Sequence, residues 1–68
     1  MINYLNTRYK KLKKAGYIWQ DKNGKCYKPE TICKEYLEHI LNTIAFIPYF
    51  PFQWIIELKE LLIIKNKG

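Results

Sequence analysis

Residues 40–64, ILNTIAFIPYFPFQWIIELKELLII, constrain this chain more than any other stretch. They hold most of its aliphatic side chains and two of its three prolines, and the 17 residues from Ile40 to Ile56 carry no charge. Burial of apolar area is the main favourable term in folding, at about 25 cal/mol per Å². Such a segment must therefore be covered by the rest of the chain, by a partner or by lipid. The rest of the chain is short, because the whole is 68 residues. A chain of that size buries only about 60% of its unfolded surface, and its core alone supplies little more than ~3–5 kcal/mol.

The prolines divide the stretch. Upstream of Pro48, the residues Cys33, Tyr36, Leu37, Ile40, Leu41, Ile44 and Ile47 recur at the i, i+3, i+4 spacing of a helix. Lys34, Glu35, Glu38, His39 and Asn42 take the opposite face. Pro29 as first helical residue and Glu30 in the first turn suit a helix start, and Pro48 forces the residue before it out of helix. The pattern predicts a helix over 30–46. Pro48-Tyr49-Phe50-Pro51 then reads as a corner, and a last helix follows over 52–65. One face of that helix carries Trp54, Ile55, Leu58, Leu61 and Leu62. A second apolar patch, Phe52, Ile56 and Ile63, lies far round the wheel. Burying three large side chains is worth on the order of 5–8 kcal/mol, so this patch points to a partner: another copy, a different protein, or lipid.

The first 28 residues are different in kind. They hold eight basic residues and one acidic, against four basic and five acidic in residues 29–68. A helix is expected over 3–15, capped by Asn3, with Ile2, Leu5, Tyr9 and Leu12 on one face and Gly16 ending it in the left-handed region. Arg8, Lys10, Lys11 and Lys14 spread over the remaining surface, and the lysines near the C-terminus suit the helix dipole. Residues 17–28 then read as a β-hairpin, YIWQ-DKNG-KCYK. A two-residue Asn23-Gly24 turn would put Trp19 opposite Lys28. The favoured register instead has a type I turn from Asp21 to Gly24 with a bulge at the glycine. It pairs Trp19 with Tyr27 and Asp21 with Lys25. The run LKKAGYIW followed by NGKCYKP resembles the end of winged-helix DNA-binding domains, where a recognition helix leads through glycine into the wing hairpin. The seven residues upstream cannot supply the helices that precede it there.

Residue chemistry argues against catalysis. His39 is the one histidine, with Glu35 a turn away on an exposed face. Cys33 falls on the other side of that helix, and Cys26 sits in the hairpin with no base in reach. Two cysteines and a histidine cannot make a four-ligand zinc site, and three glycines make no phosphate loop. The chain is therefore expected to be no enzyme, to use no cofactor, metal or small-molecule substrate, and to keep both thiols reduced. Charges interrupt the first apolar residues, so no secretory signal is expected. The lysine-, isoleucine- and asparagine-rich composition fits an A/T-rich genome.

The sequence therefore predicts a small α+β fold, a single domain over 1–68 in the order helix, β-hairpin, helix, helix. It is mostly helical, with an antiparallel C-terminal helix pair. The expected function is that of a small non-enzymatic interaction protein, of the kind viruses and mobile elements encode. It would bind and modulate a host macromolecular machine that handles nucleic acid, in the host cytoplasm. Its partner, or a second copy in a homodimer, would meet Arg8, Lys10, Lys11, Lys14, Lys22 and Lys25 and the apolar residues Phe52, Ile56 and Ile63. One alternative is a sequence-nonspecific nucleic-acid binder. Lysines interleaved with Tyr4, Tyr9, Tyr17, Trp19 and Tyr27 offer phosphate contacts and stacking faces, while a single arginine offers little base readout. The other alternative is a peripheral membrane protein that inserts the Ile40–Ile64 helical hairpin beneath a lysine-rich half held on anionic headgroups.

Overall fold

The computed structural model describes residues 2–67, with side chains from Tyr4 onward. It is a small α+β protein of three helices and one two-stranded antiparallel hairpin. The elements run α1 (Ile2–Lys14), β1 (Trp19–Gln20), β2 (Cys26–Tyr27), α2 (Lys34–Ile44) and α3 (Phe52–Lys67). The chain divides into two compact units, Met1–Ile32 and Cys33–Gly68.

In the first unit, α1 turns Tyr9 and Leu12 into the buried set, which Ile18 and Ile32 complete. The side chains of Ile2 and Asn3, and with them the expected cap, lie outside the described residues. Lys11, Lys13 and Lys14 occupy the last turn, where positive charge complements the helix dipole. The helix closes on a Schellman motif: the Tyr17 N–H donates to the Leu12 carbonyl at 2.8 Å and the Gly16 N–H to the Lys13 carbonyl at 3.1 Å. Gly16 makes this possible at φ 89°. A Cβ there would meet nothing within 4 Å, so Gly16→Ala should cost only the conformational penalty of the left-handed region, roughly 1–2 kcal/mol. Urea unfolding of Gly16→Ala beside Gly16→Asn checks this, because asparagine tolerates that region better and should lose less.

The hairpin takes the bulged register. Trp19 pairs with Tyr27 and Gln20 with Cys26. The Asp21 N–H donates to the Lys25 carbonyl at 2.9 Å, and the Gly24 N–H closes the turn on the Asp21 carbonyl at 3.0 Å. Gly24 sits at φ 90°, the backbone value a bulge glycine needs.

In the second unit, α2 and α3 pack against each other as the expected pair. Leu37, Ile40 and Ile44 of α2 are buried, as are Phe50, Trp54 and Leu58. Phe50 and Trp54 stack with ring centroids 4.9 Å apart. The corner between the helices holds one strained residue, Tyr49 at φ 63°.

Three details differ from the sequence expectation. First, α2 begins at Lys34 and not at residue 30. Residues 28–32 instead close a separate turn, in which the Thr31 and Ile32 N–H groups donate to the Lys28 carbonyl at 3.1 and 3.0 Å. The Thr31 hydroxyl adds to it by accepting from the Lys28 N–H and bonding back to the Lys28 carbonyl, both at 3.3 Å. The turn leads into Ile32, which is almost wholly buried. Second, Cys33 is the extended N-cap of α2 (φ −84°, ψ 158°) and is exposed, so it does not belong to the apolar stripe. Third, α2 ends at Ile44, because the Phe46 and Ile47 N–H groups drop to acceptors three residues back, on Thr43 and Ile44. Ile47 is left outside the helix and exposed.

Candidate polyanion-binding surface

The basic residues of the first unit do not form one uniform face. The 3.6-residue period of α1 carries Arg8 and Lys11 to the side of the helix that faces the hairpin, while Lys10 and Lys14 point elsewhere. Arg8, Lys11 and Lys22 line an open depression of about 540 Å³. Tyr4 and Thr7 of α1 and Gln20, Asp21 and Gly24 of the hairpin complete its wall. Lys10, Lys14 and Lys25 are exposed but do not line it.

Arg8 is held by two hydrogen bonds. Its Nη1 donates to the Tyr4 hydroxyl one helical turn back at 3.3 Å, and its Nη2 donates to the Gln20 carbonyl at 3.5 Å. Both acceptors are neutral. A guanidinium has five N–H donors in a fixed fork, so these bonds orient the group without neutralising it. Among the described residues no carboxylate pairs with it.

The carboxylate in the wall is committed to the turn. One Asp21 oxygen accepts the N–H groups of Asn23 and Lys25, each at 2.9 Å, and the other accepts the Tyr27 hydroxyl at 3.2 Å. Partial desolvation is the largest single influence on this group and raises its pKa. The two backbone N–H donors, the Tyr27 hydroxyl and the Lys25 charge outweigh it and hold the pKa below the ordinary 3.8. A depressed carboxylate stabilises the fold above its unfolded pKa, and that contribution fades as pH falls through the folded value. The hairpin should therefore lose stability as pH falls below the ordinary carboxylate value of 3.8. Asp21→Asn should flatten that acid limb in urea melts followed by tryptophan fluorescence.

The aromatics also separate by role. Tyr9 is buried, and Tyr17, Trp19 and Tyr27 are half-buried. The Lys13 ammonium donates to the Tyr9 hydroxyl at 3.4 Å and lies 5.7 Å from that ring's centroid. Lys25 sits 5.2 Å from the Tyr27 centroid and Lys28 6.0 Å from that of Tyr17. Such cation–π contacts add about 0.5–1 kcal/mol at exposed sites, and here they leave these rings already in use. Tyr4, 65% exposed, offers an open ring, and it stands in the wall of the depression. Sequence reasoning named the cations but missed Thr7 and Gln20, which only the approach of hairpin to helix brings in. The four-residue spacing from Tyr4 to Arg8 is the signal that links that ring to the arginine.

The second unit presents a different surface. Phe46, Tyr49 and Phe52 around the corner are 87%, 77% and 74% exposed, and Ile63 and Ile64 on α3 are also exposed. Of the expected apolar patch, Phe52 and Ile63 are open to solvent and Ile56 is half-buried. No helix among the described residues is long and apolar enough to cross a membrane. His39, exposed, stacks at 6.3 Å on Tyr36. Cys26 and Cys33 are free thiols, and no three His, Cys, Asp or Glu side chains gather among the described residues. Compared with protein families, curated proteins and solved structures, the chain matches none.

Proposed function

We propose that this chain is a small non-enzymatic interaction protein whose first unit binds a polyanionic macromolecule through its basic surface. The observation that carries the reading is Arg8, positioned by two neutral acceptors and not ion-paired, beside Lys11 and Lys22 in a wall that holds one carboxylate, Asp21. Holding three positive groups around one depression costs repulsion, and an anion relieves it. Lys10, Lys14 and Lys25 extend the same sign outward and favour a polymer over a single ion. Steering by such a field speeds association and weakens with salt. Fluorescence anisotropy with a labelled oligonucleotide at low ionic strength tests the reading. Saturable binding supports it, and a flat trace up to high protein concentration removes it.

A second reading, contact with another protein or a second copy, draws on the exposed apolar residues of the second unit. Phe46, Tyr49 and Phe52 are three large aromatics in the open. Tyr49 also holds a left-handed backbone that costs a side-chain-bearing residue roughly 1–2 kcal/mol. Light scattering across a concentration range separates this reading from the first. Self-association that Phe52→Lys abolishes would assign that surface to a homodimer.

A further inference from the structure

Resting on the polyanion reading, we propose that the depression in the first unit takes one nucleotide of a single-stranded nucleic acid. Its phosphodiester meets Arg8 and Lys11, and its base lies on Tyr4. Three features lead there. The depression, at about 540 Å³, is far larger than a phosphate needs and lies within the range of small-molecule sites, so a phosphate on Arg8 leaves room for what it is attached to. Arg8 presents its remaining N–H donors as a planar fork, the geometry that matches two oxygens of one phosphate. Tyr4, the Arg8 acceptor at 3.3 Å, offers an exposed ring within a nucleotide's reach of that phosphate.

A stacking face is useful only to a base outside a duplex. Stacking on aromatic side chains together with a positive track is how proteins hold single strands without reading sequence. Duplex readout would need arginine or amide side chains directed into a groove, and this chain has one arginine, whose two Nη groups already donate to the Tyr4 hydroxyl and the Gln20 carbonyl. An acidic protein surface would satisfy the cations but would leave the Tyr4 ring without a flat partner. Asp21 keeps its negative charge, but three donors fix its carboxylate in the turn, and the three cations Arg8, Lys11 and Lys22 leave the wall net positive.

The test is anisotropy with a labelled oligothymidylate, a duplex of equal length and polyglutamate as competitor. It uses the full chain and the variants Tyr4→Leu, Tyr4→Phe, Arg8→Lys and Lys10→Gln with Lys14→Gln, each checked for unchanged helix content by circular dichroism. The single strand should bind more tightly than the duplex. Tyr4→Leu should weaken single-strand binding roughly 5- to 150-fold and leave duplex binding unchanged, while Tyr4→Phe keeps the ring and restores most of the affinity. Arg8→Lys keeps the charge and loses the fork, so it should weaken binding several-fold without altering the salt dependence. If the Lys10, Lys14 variant loses affinity while the Tyr4 and Arg8 variants do not, the basic surface stands and the assignment of the depression is overturned. Polyglutamate competing better than the single strand also overturns it. Binding to none of the three probes overturns the polyanion reading and the depression together.

Discussion

Leu58→Ala is expected to cost about 2–5 kcal/mol, the range for removing a buried leucine side chain and leaving part of its cavity unfilled. Leu58 has no exposed surface and shares the buried face of α3 with Trp54. A protein of 68 residues has roughly 3–10 kcal/mol of stability in all, so this one truncation should leave a large share of molecules unfolded at 37 °C. The matched control is Phe52→Ala on the exposed side of the same helix, where the change should stay within about 0.5 kcal/mol. Urea melts followed by circular dichroism read both. A loss below about 1 kcal/mol at Leu58 would contradict its place in the core. A large loss at Phe52 that grows with protein concentration would show that a second copy covers that residue in solution.

The double charge reversal Lys10→Glu with Lys14→Glu carries the second large effect, on binding rather than on stability. Both side chains are exposed, so neither contributes packing that the change would destroy. They stand one turn apart on α1, and the repulsion between like charges is the same before and after the exchange. Acids near a helix C-terminus oppose its dipole at about 0.3–1 kcal/mol each, which sets the scale of the structural cost. On a polyanion, two phosphate contacts disappear and two repulsions replace them. Affinity at low salt should fall on the order of 10- to 100-fold, and the salt dependence should become shallower by roughly 0.7 for each lost contact on a single strand. Unchanged affinity in the double variant would remove Lys10 and Lys14 from the binding surface.

What could be read from the sequence was local chemistry. Gly16 ends α1 because the left-handed region there suits glycine, and the Asp21-to-Gly24 turn sets a register that the cross-strand pair Trp19–Tyr27 confirms. The apolar period of α2 named Leu37, Ile40 and Ile44, all buried. The start of α2 misled because Pro29, Glu30 and Thr31 are as good for a turn as for a first helical turn. The Thr31 hydroxyl bonding the Lys28 backbone, and the burial of Ile32, decided it. Ile47 misled for a related reason: its spacing fits the stripe, but the helix tightens and stops three residues before it. On α3 the period set buried Trp54 and Leu58 apart from exposed Phe52 and Ile63, but Ile56, placed with the latter, is half-buried like Ile55, Leu61 and Leu62 of the stripe. The depression could not be read at all as a shape. It exists because the hairpin places Gln20 and Lys22 opposite Arg8 and Lys11, and that is a relation between elements 12 or so residues apart.

The measurement that bears most directly on the central claim is the salt dependence of binding to a single-stranded oligonucleotide, read as the slope of log K against log salt concentration. Arg8, Lys11 and Lys22 around the depression, joined by Lys10 and Lys14, should neutralise about three to five phosphates. At roughly 0.7 per phosphate on a single strand, the slope should fall between about −2 and −3.5. A slope near zero, with binding intact at high salt, would contradict the account and transfer the function to the exposed apolar residues Phe46, Tyr49 and Phe52.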